Sequence, residues 1–266
     1  MLDVSRELIR FVAGLLRAER KACGTRTGTR ALTCWVQALF VIVWFRDKPN
    51  ITRHGAAFGI SQSTAYRYLH EGIDVLAARA PGLHQALHDA PAGGLSHLEL
   101  DGKIFATDRC RIKTPSVKGE MIDAWYSGKT NDFGGNVQAL CDPSGFPIFT
   151  SDVEPGHIHD LEAARVHVLP AVYPHTGELP VLADSGYQGA GHGVIVPFAP
   201  PTGGNIPTLD NRCRDRLQRF LRCRGERGFA LLTERWTALK HTTLSPSRIG
   251  DLVRAAHVLT LFEHRR

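Results

Sequence analysis

Two aspartates occupy matching places in this chain. His97-Leu98-Glu99-Leu100-Asp101-Gly102-Lys103 is a short apolar run that reaches a carboxylate and then a glycine, and Leu179-Pro180-Val181-Leu182-Ala183-Asp184-Ser185-Gly186-Tyr187 repeats the design. Each reads as a buried strand that delivers its Asp to the C-terminal end, where the backbone leaves the sheet and the acid can face solvent or a metal. If the strands are neighbours, Asp101 and Asp184 bring two hard oxygen ligands to one place, the donor type that Mg²⁺ prefers. A third ligand should come from a later helix, and Glu226 in Arg222-Cys223-Arg224-Gly225-Glu226-Arg227-Gly228-Phe229 is the candidate. Gly225 and Gly228 each cost roughly 1 kcal/mol against alanine inside a helix, so they make most sense where a helix presses close against a sheet. The other role open to Glu226 is a surface pair with Arg222 or Arg227, worth about 0–1 kcal/mol. Converging carboxylates of this kind suit phosphodiester chemistry by two divalent cations held roughly 3.5–4 Å apart.

The charge pattern supplies a partner for such a site. The net charge of +6 divides into +5 for residues 1–96, −6 for 97–204 and +7 for 205–266, so two basic flanks enclose an acidic middle that contains both aspartates. Basic surface attracts polyanions through release of condensed counterions, although it also serves plain solubility. The arginines at 212, 214, 216, 219, 222, 224 and 227 cannot share one helix face, and Arg216 and Arg219 are expected to follow a DNA backbone. Six cysteines show no close CxxC pair, which points away from a zinc site or a disulfide framework. The longest apolar run, Val36 to Phe45, is too short to span a bilayer, and charges among the first ten residues argue against a secretory signal, so the expected compartment is the cytoplasm.

Elements that could position these groups follow from periodicity. Residues 1–20 and 31–45 read as helices, the first amphipathic and the second strongly apolar. From Asn50 to Ala78 the pattern is that of a helix-turn-helix: Asn50 caps a short helix, Gly59 makes a turn with Ile60 packed inward, and Ser61 caps a second helix. In that second helix Ala65 and Leu69 face the core, while Gln62, Ser63, Tyr66, Arg67 and His70 point outward as types that reach base edges and phosphates. An ordinary helical hairpin with a polar face has the same pattern, and the basic charge of the segment favours DNA. Pro81, Gly82, Pro91, Gly93 and Gly94 suggest a linker over 80–94. Strands are expected at 97–101, 104–110, 136–141, 146–153, 179–184 and 193–197, a helix at 159–172, one long helix over 212–239 and a last helix at 249–262. That order describes an α/β fold with a ribonuclease H-like mixed sheet flanked by helices, preceded by an all-α helix-turn-helix domain. The expected division is residues 1–90 for DNA binding and 91–266 for catalysis.

Several short motifs, taken together, carry a family resemblance. Leu100-Asp101-Gly102-Lys103, Tyr126-Ser127-Gly128-Lys129, Gly134-Gly135-Asn136-Val137-Gln138, Pro155-Gly156-His157-Ile158-His159-Asp160, Ala183-Asp184-Ser185-Gly186-Tyr187 and Gly225-Glu226-Arg227 stand in the order found in DDE-type insertion-sequence transposases. The chain resembles the IS-five/Harbinger-related group of that superfamily over most of its length. The resemblance implies a ribonuclease H-like catalytic domain, two Mg²⁺ or Mn²⁺ ions, and cleavage and joining of transposon-end DNA. It also implies that Asp101, Asp184 and Glu226 are the first, second and third acids. Lys103 and Lys129 are then placed to contact DNA phosphates, and His159 and Asp160 to stand behind the metal ligands, with helix capping as the other role for Asp160. Synapsis of two ends implies a homo-oligomer on double-stranded DNA. Two other classes remain open at this point: a helix-turn-helix regulator that does not cut, against which the presence of all three acids argues, and a metal-dependent endonuclease without strand transfer.

Overall fold

The computed structural model describes residues 3–198, 208–223 and 227–264. They belong to two compact units, one formed by Met1–Ala80, Leu232–His241 and Asp251–Arg266, the other by Pro81–Leu231 and Thr242–Gly250.

The first unit is helical. Helix α1 (Arg6–Ala22) starts where Ser5 Oγ accepts from Leu8 N at 3.1 Å, and it buries Leu8, Ile9, Val12, Ala13 and Leu16 on one stripe. Helix α2 (Cys34–Asp47) is apolar around most of its circumference and correspondingly buried. Its one interior polar side chain, Gln37, is satisfied by donation from Arg20 to Oε1 at 2.5 Å and by its own donation to Tyr68 O at 3.1 Å. The later segments of the unit add Trp236, which meets Phe45 edge-on at 6.3 Å and donates from Nε1 to Thr260 Oγ1 at 2.8 Å. Thr260 belongs to the C-terminal helix, labelled α10 (Ile249–His264).

Within this unit lie α3 (Ile51–Ala57) and α4 (Gln62–Ala77), the expected helix-turn-helix. Asn50 Oδ1 accepts from Thr52 N and Arg53 N, and Ser61 Oγ accepts from Thr64 N. Gly59 sits at φ +69°, a left-handed turn that an L side chain resists, and the next residue, Ile60, turns into the core. The two helices approach closely because Gly55 has no side chain: a Cβ there would stand 2.8 Å from Ala65 Cβ.

The second unit is a six-stranded mixed sheet with helices on both faces. It opens with α5 (Leu83–Ala92), where a linker was expected; Leu83, Leu87 and Ala90 recur at helical spacing and the last two are buried, while Pro91 falls in the final turn. Strand β1 (Leu98–Ala106) is followed by a small separate ribbon, β2 (Lys113–Pro115) and β3 (Met121–Asp123). Then come β4 (Tyr126–Ser127), β5 (Asp132–Cys141), β6 (Pro147–Pro155), α6 (Asp160–His167), α7 (Leu169–Val172), β7 (Val181–Ala183) and β8 (Val194–Ile195). The sheet order is β4-β5-β1-β7-β8, with β6 also paired to β5; β7 runs parallel to both β1 and β8, and the other pairings are antiparallel.

Of the long helix expected over 212–239, the described residues form α8 (Leu209–Arg222) and α9 (Arg227–Arg235), the latter ending before Trp236, whose backbone is extended. Gln218 anchors α8 by donating from Nε2 to Ala183 O on β7 and Ile195 O on β8. Alternation along β1 sorts the sheet's faces. Leu98 and Leu100 join Leu140, Ala164, Leu169, Val172 and Tyr187 in one apolar core, whereas Phe105 points to the opposite face and meets Phe229 of α9 at 5.6 Å. Among the described residues, no helix is long and apolar enough to cross a membrane.

Candidate active site

Asp101 does not end its strand. Strand β1 continues to Ala106 because its antiparallel register with β5 runs from Glu99↔Cys141 to Ala106↔Gly134, so the segments expected at 97–101 and 104–110 are one strand across Gly102. On its other side, however, β1 pairs with β7 only through Leu100↔Ala183. Asp101 and Asp184 are therefore the next residues on adjacent parallel strands, whose spacing is roughly 5 Å. The proximity registers at Asp101: burial and the Asp184 carboxylate push it up to about 6, against smaller opposing effects from the Gly102 N–H and the cations of Arg222 and Lys129. Asp184 ends β7 and opens a tight turn, its Oδ1 accepting from Gly186 N at 2.8 Å.

A third carboxylate, that of Asp160, is linked to this pair through Lys129, whose ammonium pairs with Asp160 and also feels the charges of Asp101 and Asp184. Asp160 is buried and stands at the first position of α6, with His159 as the flanking cap residue, yet its side chain serves no helix N–H. Oδ2 accepts from Lys129 Nζ at 2.7 Å and Oδ1 from Asn136 Nδ2 at 2.9 Å. The glycine after Asp101 now has a physical reason: a Cβ at Gly102 would meet Asp160 Oδ1 and Gln138 Nε2, both at 2.5 Å. At Gly186 the same test finds Asp184 Oδ1 at 2.9 Å and Asp160 Oδ2 at 3.7 Å.

Behind Asp160 runs a buried chain of hydrogen bonds. Tyr187 OH donates to Gln138 Oε1 at 2.6 Å, Gln138 Nε2 donates to Asn136 Oδ1 at 2.9 Å, and Asn136 Nδ2 donates to Asp160 Oδ1 and to Ile158 O. Every member points its donor the same way, toward the Asp160 carboxylate, and burial makes each link costly to break. Asn136, Gln138 and Tyr187 had stood in the sequence motifs without a role. The signal available was period two: Asn136 and Gln138 are polar on one face of an otherwise apolar strand.

The other expected residues are distributed as follows. Glu226 lies outside the described residues. The chain on either side of it is on the Asp101 face, since the charge of Arg222 acts on Asp101 and a Cβ at Gly228 would run into Cys141 Sγ, the close approach to the sheet that glycine was expected to serve. Lys103 follows Asp101 by two on β1 and shares its face. His157 is fixed by donation from Nδ1 to Ala124 O at 2.7 Å, and His159 is exposed. Arg216 and Arg219 are exposed on α8. On α4, Ala65 and Leu69 are buried; Gln62, Ser63 and Arg67 are exposed, and Tyr66 and His70 are half-buried and stacked at 6.4 Å. Among the described residues, no three His, Cys, Asp or Glu side chains converge closely enough to hold a metal ion.

The family model described as DDE superfamily endonuclease matches residues 101–260, from the first aspartate of the pair to the last helix. The chain belongs to the DDE superfamily endonucleases. The model for the helix-turn-helix of DDE superfamily endonucleases matches residues 30–82, which takes in α2, α3 and α4. No curated protein and no solved structure matches the chain. For a DDE superfamily endonuclease the architecture agrees with expectation, a helical helix-turn-helix region followed by a mixed sheet flanked by helices, and the pair of domains gives a transposase-like function acting on DNA.

Proposed function

We propose that this endonuclease is a DNA transposase that cleaves phosphodiester bonds at transposon ends and joins the resulting 3′ ends to target DNA. The observation that carries this reading is the register of β1 with β7, which sets Asp101 beside Asp184. Burial first and the neighbouring Asp184 charge second raise Asp101, so the site disfavours a second bare negative charge, and hard divalent cations such as Mg²⁺ or Mn²⁺ suit both the charge and the oxygen donors. Asp101 and Asp184 would hold the two ions, with Glu226 as the third ligand. When bound, the ions would activate water, and later a DNA 3′ hydroxyl, for in-line attack on phosphorus and stabilise the departing oxygen.

The protein's own groups do the rest. Asp160 steadies the Lys129 ammonium near the acid pair, and Lys129 and Lys103 take up DNA phosphates. His159 and Asp160 stand behind the ligands, Gln62, Ser63, Tyr66, Arg67 and His70 read or grip the DNA from α4, and Arg216 and Arg219 follow the backbone. Residues 1–90 are thus the DNA-binding part and 91–266 the catalytic part, and joining two ends calls for a homo-oligomer.

A supercoiled plasmid carrying the element's ends, incubated with Mg²⁺, tests this reading. Wild-type protein should cut the ends and join them to target, and Asp184→Asn should lower cutting by about three orders of magnitude, the loss of several kcal/mol of charge stabilisation, while still shifting the DNA in a gel. Cutting without joining would instead make the chain an endonuclease that lacks strand transfer. Uncut DNA bound by the wild type would make it a helix-turn-helix regulator.

A further inference from the structure

Residues 24–30 connect α1 to α2 in the helical unit, and neither the acid pair nor the outward row of α4 uses them. The loop is built, not slack. Thr25 N donates to Arg20 O at 2.9 Å, with Gly24 at φ +62°, and so ends α1 sharply. Arg20 then donates from Nη1 to Leu32 O at 3.1 Å and closes the loop at its neck. Inside, Thr29 donates from N and from Oγ1 to Arg26 O, at 3.4 and 2.8 Å, around Gly28 at φ +80°, the left-handed position that a tight turn reserves for glycine. At the far end Arg30 pairs with Glu71 of α4, and Glu71 also accepts from Gln37 Nε2 at 3.1 Å, so α1, α2 and α4 all hold the loop in place.

Its position follows from Tyr68, buried on α4. Leu32 N donates to the Tyr68 hydroxyl at 3.4 Å, and the guanidinium groups of Arg30 and Arg67 stand 4.9 and 5.8 Å from the ring centroid. The loop therefore leaves the body of the unit beside Arg67, along the edge of the outward row. Glu71 neutralises Arg30, but Arg26 is exposed at the start of the turn, among Thr25, Thr27, Gly28 and Thr29. One long cation on a thin backbone of small residues is the result, and that shape selects a groove. A helix about 10–12 Å across fills a major groove about 12 Å wide, whereas a minor groove about 6 Å wide admits no helix but takes a single guanidinium. Where A·T pairs narrow the minor groove further, its negative potential rises and draws an arginine in. We propose that the turn at 26–29 lays Arg26 in the minor groove next to the major groove that α4 enters, and distinguishes A·T from G·C there. The inference rests on the DNA-binding role given to α4 in the transposase reading above. The exposed Thr27 hydroxyl then faces the sugar and phosphate oxygens that line the groove.

The test is a minor-groove scan of a duplex carrying the element's end, bound by full-length protein in EDTA so that no strand is cut. 2,6-Diaminopurine in place of adenine adds an amino group to the minor groove, and inosine in place of guanine removes one; neither changes the major-groove edge. Over a short run of adjacent base pairs, diaminopurine should weaken wild-type binding about tenfold, the size of a lost base contact. Arg26→Ala should bind the unmodified end about tenfold more weakly and lose that sensitivity, with the melting temperature of the wild type because the side chain is exposed. Wild-type binding that is indifferent to both analogues at every position overturns the inference, whatever the variant does. So does an Arg26→Ala protein that keeps the sensitivity; if it also binds cognate and unrelated duplexes more weakly by the same factor, Arg26 grips phosphate only. Failure of the wild type to bind the end duplex at all overturns both this inference and the transposase reading.

Discussion

Helix α4 and strand β5 both carry a row of polar side chains and put it to opposite use. On α4 the row of Gln62, Ser63 and Arg67 lies at the surface, backed by Ala65, Tyr68 and Leu69 in the core. On β5, Asn136 and Gln138 are buried in the sheet and spend their hydrogen bonds on one another, on Tyr187 and on Asp160. An outward row can be changed residue by residue with little effect on folding, because water replaces each lost partner. An inward row is coupled: removing one member strands its neighbours in a low-dielectric interior. Folding stability and function should therefore separate on α4 and be entangled on β5.

The largest test of this contrast is Gln138→Leu. The substitution leaves Tyr187 OH without its acceptor and Asn136 Oδ1 without its donor, and two buried unsatisfied groups at about 1–3 kcal/mol each give a destabilisation of about 2–6 kcal/mol. Urea unfolding measures it. A cost near zero would mean that the chain is not a coupled unit, and the distinction between the two regions would collapse.

A test of next size concerns what this interior does to Asp101. Its carboxyl titrates near 3.8 in an unfolded chain and is pushed up to about 6 in the fold by burial and by Asp184. The folded protein thus binds the proton more tightly than the unfolded chain between these values, so stability should rise as pH falls from 7 toward 4 and decline again as pH climbs through 6. The full difference is about 3 kcal/mol. Thermal melting in EDTA should show it, and Asp101→Asn should remove this component of the pH dependence. Asp184 opposes ionisation here, while Arg222 and Lys129 favour it, so the predicted sign is that of the net upward shift. A melting temperature that rose from pH 5 to 7 in the wild type and was flattened by Asp101→Asn would reverse the assigned sign.

The same contrast explains what could be read from the sequence. The helix-turn-helix was legible almost to the residue, because Asn50, Gly59, Ile60 and Ser61 act on backbone within a few positions of themselves. The two apolar runs ending in Asp were legible as strands, but the continuation of β1 past Asp101 was not, since it depends on pairing with β5 farther along the chain. Gly102 could be noticed and not explained: the atoms that forbid a side chain there belong to Gln138 and Asp160. Composition misled at 80–94, where prolines and glycines concealed the spacing of Leu83, Leu87 and Ala90 in α5. Nor does any local signal disclose that segments from both ends of the chain make up the helical unit.

On the outward row the expected effects are smallest, and they fall on DNA instead of stability. Arg67 is exposed, its guanidinium 5.8 Å above the Tyr68 ring, a contact that water can largely replace. Arg67→Ala should leave unfolding free energy within about 0.5 kcal/mol of wild type. In DNA binding, measured over a salt series, two outcomes are informative. If Arg67 reads a base edge, the loss is about 1–3 kcal/mol and is confined to the cognate end sequence. If it grips phosphate, affinity falls alike for cognate and unrelated duplexes, and the slope of log K against log salt shrinks by about 0.9. Unchanged binding to both duplexes would remove Arg67 from the interface. A large loss of stability would show that α4 is as coupled as β5, and the separation of folding from recognition would fail on its own ground.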